Sequence, residues 1–257
     1  MAGEIIYGLN PVLEALKAER SLRQILVAEG RKGAPLKELF RLARARTVPV
    51  HLRPRPLLDR LAGTEHHQGV MAVASPAAYT PWEDFLRDLR ARPAPARILI
   101  LDGIQDPQNL GSLIRTAEVC GLGGVIIPKD RAAGLTPAVL KSSAGAAAHL
   151  PVVRVTNLAR TLEELKEEGF WIVGADPRGE KSLYEMNFEG NIGLVIGSEG
   201  QGIRPLLLKK CDFRVAIPMK GKVASLNAAV AGAIILFEIL RQDLSRRDRK
   251  EDSASPS

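Results

Sequence analysis

Residues 97–121, RILILDGIQDPQNLGSLIRTAEVCG, contain the pattern that decides the fold. Ile98–Leu101 is an uninterrupted apolar run, as expected of a parallel strand that is covered on both faces. A helix is predicted over Leu110–Cys120, and Gly121 is suited to end it. A buried strand followed by a helix is the repeating unit of mostly parallel α/β sheets.

The same alternation continues through the C-terminal half. Asn157–Glu168 predicts a helix that ends at Gly169, and four further apolar runs predict strands. These strands are Val125–Ile127, Val152–Val155, Phe170–Gly174 and Ile192–Ile196. The sequence therefore predicts an α/β domain over residues 97–243, with a mostly parallel sheet covered on both faces.

The last predicted helix, about Leu226–Leu240, has almost no polar face. Such a helix must be buried nearly all round, by its own domain or by a partner subunit. The charged and Ser-rich residues 244–257 predict a disordered tail.

Residues 1–76 predict a smaller α/β domain. Its strands are predicted at Gln24–Ala28, Val48–Leu52 and Val70–Ala74, and its helices at Pro11–Ala18, Pro35–Arg46 and Pro56–Leu61. Asn10 is placed to cap the first helix. Residues 77–96 predict a linker, in which a short helix over Trp82–Leu89 precedes the stiff stretch Arg92-Pro93-Ala94-Pro95.

The formal net charge of +7 favours a polyanionic partner, and the basic excess is uneven along the chain. Residues 1–76 hold 12 Lys and Arg against 7 Asp and Glu, whereas residues 97–243 hold 17 against 16. The excess indicates either a nucleic-acid-binding surface or a solvated basic surface. Aromatic residues make up only 4% of the chain, so base stacking is not expected to dominate binding.

The two cysteines, Cys120 and Cys211, lack a CxxC spacing. A disulfide framework is not expected, and the sequence is typical of a reduced, cytoplasmic protein. No apolar run approaches the roughly 20 residues of a membrane span. The four histidines are not spaced as a ligand cluster, so no metal site is predicted.

Three segments that follow apolar strands hold more polar and glycine residues than packing requires. They are Leu101–Arg115, Ile196–Ile203 and Ile217–Ala229. Ligands of parallel sheets bind beyond the carboxyl ends of the strands, so the first segment would point Asn109 and Arg115 toward such a crevice. On its position alone, Arg115 is equally compatible with an exposed helix residue.

The second segment has three glycines in six residues, which lets the backbone approach a ligand closely. A glycine-rich turn with Glu199 capping the next helix is the alternative. The segment matches neither GxxxxGK[ST] nor GxGxxG, so nucleotide-phosphate binding is not supported. In the third segment Ser225 can cap the last helix, whereas Asn227 is an amide that needs partners from a ligand or a catalytic network.

Together the three segments resemble the three motifs of the SpoU (TrmH-like) branch of the SPOUT RNA methyltransferases, in the same order and over about Ile98–Leu240. Tyr7–Leu16 and His67–Ala72 resemble the substrate-binding domain, similar to ribosomal protein L30e, of many members. The combination is most similar to the subgroup that methylates a guanosine of large-subunit ribosomal RNA.

The resemblance implies S-adenosylmethionine as methyl donor, bound in a deep trefoil knot, and a homodimer formed through the C-terminal domain. The implied cofactor-binding residues are Gly174, Gly197, Ile217, Ser225 and Leu226. The implied catalytic residues are Asn109, Arg115, Glu199, Ser225 and Asn227.

The resemblance also implies roles for these catalytic residues. In related enzymes an arginine is proposed to assist deprotonation together with the substrate phosphate, and Arg115 occupies its place. Because arginine stays charged, we expect it to clamp a phosphate instead. Asn109 and Asn227 would orient groups, and Glu199 would organise its loop.

The expected activity is methyl transfer from S-adenosylmethionine to a ribose 2′-hydroxyl of RNA, with a guanosine of 23S ribosomal RNA as the favoured target. The alternatives are a transfer RNA substrate, a ribosomal RNA methyltransferase that confers antibiotic resistance, and an inactive RNA-binding or ribosome-assembly protein. The extra basic domain favours a large folded RNA. A decayed enzyme would be expected to have lost Asn109 or Arg115.

Overall fold

The structure is a computed structural model that describes residues 5–17, 22–74, 79–92, 95–222 and 225–254. The chain divides into two compact units, Met1–Ala78 and Tyr79–Ser257. No helix in these described ranges combines the length and the apolar character needed to cross a membrane.

The first unit is a four-stranded sheet with three helices. Its strands are β1 (Ile5–Tyr7), β2 (Leu22–Ala28), β3 (Val50–Arg53) and β4 (Val70–Ala74), in the order β1-β4-β2-β3. Only the pair β2–β3 is parallel among the paired strands described. Its helices are α1 (Leu9–Lys17), α2 (Ala34–Ala45) and α3 (Arg55–Ala62). Val12, Ile25 and Leu39 are fully buried in its main core, which confirms the predicted small α/β domain and adds β1 to it.

The first helix begins before the residue predicted to cap it. Helix α1 starts at Leu9, so Asn10 lies inside the helix. The Leu9 backbone N–H donates instead to Oε1 of Gln68 at 3.3 Å, and the Gly8 N–H donates to the Val70 carbonyl at 2.9 Å. The two N-terminal segments that carry the family resemblance therefore lie side by side.

The second unit is a seven-stranded sheet in the order β7-β6-β5-β10-β8-β11-β9. Its strands are β5 (Arg97–Asp102), β6 (Gly124–Pro128), β7 (Val152–Val155), β8 (Phe170–Ala175), β9 (Lys181–Ser182), β10 (Asn191–Gly197) and β11 (Phe213–Ala216). Its helices are α4 (Trp82–Ala91), α5 (Pro107–Val119), α6 (Pro137–Ser142), α7 (Leu158–Glu167), α8 (Pro205–Leu208) and α9 (Ala228–Ala254).

The sheet of the second unit is covered on both faces, as predicted. All of its strand pairings within the described residues are parallel. Leu99 and Leu101 of β5 face the core shared with α5 and α9, whereas Ile98 and Ile100 face the core shared with α4 and α7. The uninterrupted apolar run in β5 therefore reflects burial on both sides.

The linker predicted at 77–96 is mostly part of the second unit. Helix α4 buries Phe85, Leu86 and Leu89 in the same core as α7. The Thr80 N–H donates to the Val152 carbonyl at 2.9 Å, so this residue bridges to the sheet. Pro93 and Ala94 of the predicted stiff stretch lie outside the described residues.

The prediction of a disordered tail is wrong, because helix α9 continues through Ala254. The helix is not buried all round in the single chain, because Val230, Phe237 and Leu244 are 47%, 50% and 49% exposed. Of the two predicted ways of covering this helix, its own domain therefore covers it only in part, and cover by a partner subunit stays a prediction.

A buried ion pair explains why the helix passes the predicted end. Arg97 is 7% exposed, and its guanidinium donates to both carboxylate oxygens of Asp243 at 2.7 and 3.0 Å. Gln242 adds a 2.9 Å bond to the Met186 carbonyl. These polar residues of α9 therefore bind strand β5 and the segment before β10 rather than solvent.

Candidate active site

The three polar segments predicted from sequence converge at one edge of the parallel sheet. β5 and β10 are neighbours, and Gly197 pairs in register with Asp102 at their carboxyl ends. The first two segments leave these strands directly, and the third leads into the N-terminus of α9. This edge is where ligands bind in sheets of this class.

Three side chains, one from each segment, form a closed hydrogen-bonded cluster. Asn109 Nδ2 donates to Glu199 Oε1 at 2.7 Å. Asn227 Nδ2 donates to Asn109 Oδ1 at 3.0 Å and also to Glu199 Oε1. Both amides therefore hold the same carboxylate oxygen. We call this arrangement the Asn109–Glu199–Asn227 cluster.

The cap of α9 differs from the prediction. Asn227 Oδ1 accepts hydrogen bonds from the backbone N–H groups of Ala229 at 2.9 Å and Val230 at 3.1 Å. Asn227, rather than Ser225, is thus the capping side chain. Its oxygen fixes the helix start and its nitrogen fixes the cluster, so one residue couples the helix to the site.

The first of two cavities at this edge lies beside the glycine-rich loop. We call it the glycine-loop cavity, and its volume is about 290 Å³. Four of the predicted cofactor-binding residues line it, namely Gly197, Ile217, Ser225 and Leu226. Gly174 does not line it; a Cβ there would lie 2.9 Å from Cys211 Sγ, so this glycine permits core packing, and its neighbour Ala175 faces the cavity.

Gly197 is required by the local backbone. A Cβ at this position would lie 2.0 Å from the carbonyl carbon of Gly202 and 2.2 Å from the Ile203 nitrogen. Gly202 also has a φ of 64°, in the left-handed region that favours glycine. The loop therefore folds back on β10, with its N–H groups near both cavities.

The second cavity lies beyond β5 and β6, and we call it the β5–β6 cavity. Its volume is about 410 Å³, and Asn109, Asp130 and Arg131 are among its lining residues. Ser198–Gly202 form the wall that it shares with the glycine-loop cavity. Glu199 lines both cavities, which places the cluster at their junction.

An ion pair at the base of the β5–β6 cavity was not predicted from sequence. Asp102 is nearly fully buried, and its carboxylate accepts from the Arg204 Nε at 2.7 Å and from the Arg204 backbone N–H at 2.8 Å. The pair joins the first segment to the end of the glycine-rich loop. A charged residue at the end of an apolar strand was the signal that could have indicated it.

Arg115 does not join the other predicted catalytic residues within the single chain. Its side chain is exposed on α5, lines neither cavity, and makes no hydrogen bond or ion pair with any residue that the structure describes. One turn along the helix, Val119 is 59% exposed. Residues four apart share a helix face, so Arg115 and Val119 belong to one solvent-facing surface.

The two cysteines are poor nucleophiles. Burial raises the pKa of the Cys211 thiol to about 12, and burial also raises the pKa of Cys120. Thiolate, not thiol, is the reactive form, so neither residue is set up for covalent catalysis. The chemistry available at the site is that of oriented carboxylate and amide groups.

Comparisons with known proteins agree with this architecture. The SpoU rRNA Methylase family matches residues 96–237, and the RNA 2′-O ribose methyltransferase substrate-binding family matches residues 5–80. Two relatives are assigned to the TrmH family of tRNA/rRNA methyltransferases. One from Bacillus subtilis is 42% identical over 93% of this chain and 96% of its own length. One from Staphylococcus aureus is 41% identical over 94% of this chain and 97% of its own length.

A solved structure extends the comparison. The SpoU methyltransferase AviRb from Streptomyces viridochromogenes, in complex with the cofactor AdoMet, aligns with a TM-score of 0.71 at 28% identity. The alignment covers 95% of this chain and 91% of AviRb. The chain therefore belongs to the SpoU rRNA methylase family, as an RNA methyltransferase of the SPOUT fold with an N-terminal substrate-binding domain.

Proposed function

We propose that this chain transfers a methyl group from S-adenosylmethionine to a ribose 2′-hydroxyl of RNA, and that its target is a guanosine of 23S ribosomal RNA. The observation that carries the proposal is the Asn109–Glu199–Asn227 cluster at the junction of two cavities. A methyl transfer needs the acceptor oxygen and the sulfonium methyl held in line, and side chains shared by two cavities are placed to orient both.

The glycine-loop cavity fits the chemistry of S-adenosylmethionine. Ile196, Ile217 and Leu226 provide apolar walls for the adenine ring, and Asp176 provides a carboxylate for the cationic methionyl part. AviRb, which shares the fold, was solved with AdoMet. When bound, S-adenosylmethionine supplies an activated methyl group on a sulfonium centre.

The chain's own contribution would be to orient the acceptor. A ribose 2′-hydroxyl is a weak acid, so a group within hydrogen-bond reach must help to remove its proton. Both amides of the cluster hold Glu199 Oε1, and Oε2 has no partner among the described residues. The free oxygen is therefore available to a hydroxyl, and Asn109, which lines the β5–β6 cavity, would help to align it.

The proposed enzyme is a homodimer through the second unit. Val230 and Phe237 of α9 and Val119 of α5 are at least 47% exposed, and these two helices pack together. Large exposed apolar side chains of this kind mark an interaction surface. A second copy would cover these side chains. Arg115, which is on the same face as Val119, would then lie beside the partner's active site and clamp a phosphate of the bound RNA. The trefoil knot implied by the resemblance stays a prediction.

The first unit would select a large RNA. Its 12 basic against 7 acidic residues provide the electrostatic attraction, and the substrate-binding family match covers this unit. We propose ribosomal RNA for this reason, with transfer RNA as the alternative, and a cytoplasmic location, which the two free cysteines favour. An inactive RNA-binding protein is disfavoured because every member of the cluster is present and hydrogen-bonded.

The proposal is tested with purified protein, radiolabelled S-adenosylmethionine and total RNA from cells that lack this protein. Alkali cannot cleave the bond that follows a 2′-O-methylated ribose, because the attacking hydroxyl is blocked. We expect the label in alkali-resistant dinucleotides. Label released in mononucleotides would show base methylation and contradict the proposal, and RNA binding without any label would support the inactive alternative.

A pair of glycine variants tests the cofactor site. Gly197→Ala inserts a Cβ into the backbone of the loop, and we expect it to weaken S-adenosylmethionine binding roughly 10- to 100-fold. Gly221→Ala, in the third segment, meets no atom within 4 Å and lines neither cavity, so this control should bind normally. Calorimetric titration measures both, and urea unfolding shows whether each variant is folded. Equal affinities in two folded variants would remove this loop from the cofactor site.

A further inference from the structure

The β5–β6 cavity has no assigned ligand, although two residues of the Asn109–Glu199–Asn227 cluster line it. Asn109 and Glu199 both line it. Its volume of about 410 Å³ is within the range of roughly 300–1,000 Å³ typical of pockets for small ligands. A group bound there would lie beside the atoms that orient the acceptor hydroxyl.

Four carboxylates line this cavity, and three of them already accept hydrogen bonds, Glu199 within the Asn109–Glu199–Asn227 cluster. Asp102 accepts two hydrogen bonds from Arg204, and Asp106 caps α5 by accepting from the Gln108 N–H at 3.0 Å. Asp130 is exposed at the cavity wall and has no hydrogen-bond or ion-pair partner among the described residues. Among the four carboxylates it is therefore the one with both oxygens available to a ligand.

The backbone on both sides of Asp130 is held by neighbouring elements. The Lys129 N–H donates to the Val155 carbonyl at 2.7 Å, and the Ala133 N–H donates to the Ile104 carbonyl at 2.8 Å. Arg131 between them has a φ of 60°, which turns the chain back toward the loop after β5. The carboxylate is therefore presented from a turn that is fixed at both ends.

We propose that the β5–β6 cavity receives the base of the target nucleoside and that Asp130 selects guanine by accepting hydrogen bonds from N1–H and N2–H₂. Guanine alone among the four RNA bases offers two adjacent donors on its Watson–Crick edge, which match the two oxygens of one carboxylate. Adenine and cytosine present an acceptor there, and uracil a single donor between two acceptors.

The inference rests on the proposed function, since it assigns the acceptor side of the same reaction. A base bound in the cavity must leave its stack, as RNA bases in loops and bulges readily do. Its ribose would then remain near Asn109 and Glu199, at the boundary with the glycine-loop cavity.

The first experiment uses total RNA from cells lacking the protein and resolves the four 2′-O-methylnucleosides by mass spectrometry. The wild-type protein should produce 2′-O-methylguanosine. Asp130→Asn should lower kcat/KM for this product roughly 10- to 100-fold, because the N–H₂ group of the new amide would face a donor of guanine and could not accept its hydrogen bond. Its S-adenosylmethionine affinity should be unchanged, and Asp88→Asn, at an exposed position on α4, should behave as wild type.

The second experiment asks whether Asp130 contacts the base. Short RNAs spanning the methylated nucleotide carry either guanosine or inosine, which lacks the N2 amine. Inosine should slow the wild-type protein several-fold and leave Asp130→Asn little affected. An equal inosine penalty in both proteins would overturn the assignment of Asp130.

The outcomes separate this inference from the proposed function. Ribose methylation of another nucleoside by the wild type would refute guanine selection and leave ribose methyl transfer intact. No ribose methylation at all, with S-adenosylmethionine still bound, would refute the proposed function itself.

Discussion

Asn227 has two functions that substitution should separate. Its Oδ1 caps α9 through two backbone N–H groups, and its Nδ2 binds Glu199 and Asn109. Asn227→Ala removes both functions, whereas Asn227→Ser keeps a capping oxygen and loses the amide donor. Loss of an Asn cap to Ala costs about 1 kcal/mol, and serine caps about as well as asparagine.

The expected effect on catalysis follows from the bonds to Glu199. A hydrogen bond to a charged group contributes about 1.5–3 kcal/mol, so a carboxylate without this donor should slow transfer roughly 10- to 100-fold. Both variants should show this loss, but only Asn227→Ala should be destabilised.

Urea unfolding and single-turnover methyl transfer measure the two effects independently. Asn227→Ser with wild-type turnover would refute the role of the cluster in transfer. Equal stability of the serine and alanine variants would refute the capping role. A large loss of stability in Asn227→Ser would show that the amide bonds, rather than the cap, hold the helix in place.

Four further predictions concern other parts of the second unit. Asp243→Ala leaves the buried Arg97 without its carboxylate and should reduce the free energy of unfolding by about 3 kcal/mol; an unchanged urea midpoint would show that the pair is dispensable. Because burial raises the pKa of Cys211 from 9.0 to about 12, the unfolded chain releases a proton that the folded chain keeps, and stability should fall as pH rises above 9. Iodoacetamide should accordingly modify Cys211 at pH 8 far more slowly in the native protein than in urea. Phe237→Glu should shift the proposed dimer to monomer in sedimentation, and Arg115→Ala should abolish transfer while S-adenosylmethionine affinity stays normal; near-normal turnover of that variant would remove Arg115 from the mechanism.

The parallel sheet of the second unit could be predicted from sequence because both of its faces are buried. Strands such as β5 and β10 are then continuous apolar runs that end at Asp102 and Gly197, where polar segments begin. Strand ends of a parallel sheet share one edge, so the meeting of the three segments followed from the pattern.

The errors arose where distant side chains decide local structure. Gln68 caps α1 from 59 residues away, so Asn10 was taken for the cap. Arg97 binds Asp243 across 146 residues, which makes the charged end of α9 part of the fold. Asn227 caps α9 while it binds the cluster, and a local pattern favoured Ser225 instead.

The predicted grouping of Arg115 with the other catalytic residues shows a different limit. Its place in the first motif suggested a common site, but on α5 it faces solvent. Its side chain has no partner among the described residues, and a partner outside the chain cannot be predicted from a pattern within it.

Mapping of ribose methylation across ribosomal and transfer RNA, from cells with and without this protein, tests the proposed function directly. We expect that one guanosine of 23S ribosomal RNA loses its 2′-O-methyl group without the protein and regains it with the wild type, but not with Asn109→Ala. A ribose methylation map that is identical in both strains, or one restored equally by Asn109→Ala, would contradict it.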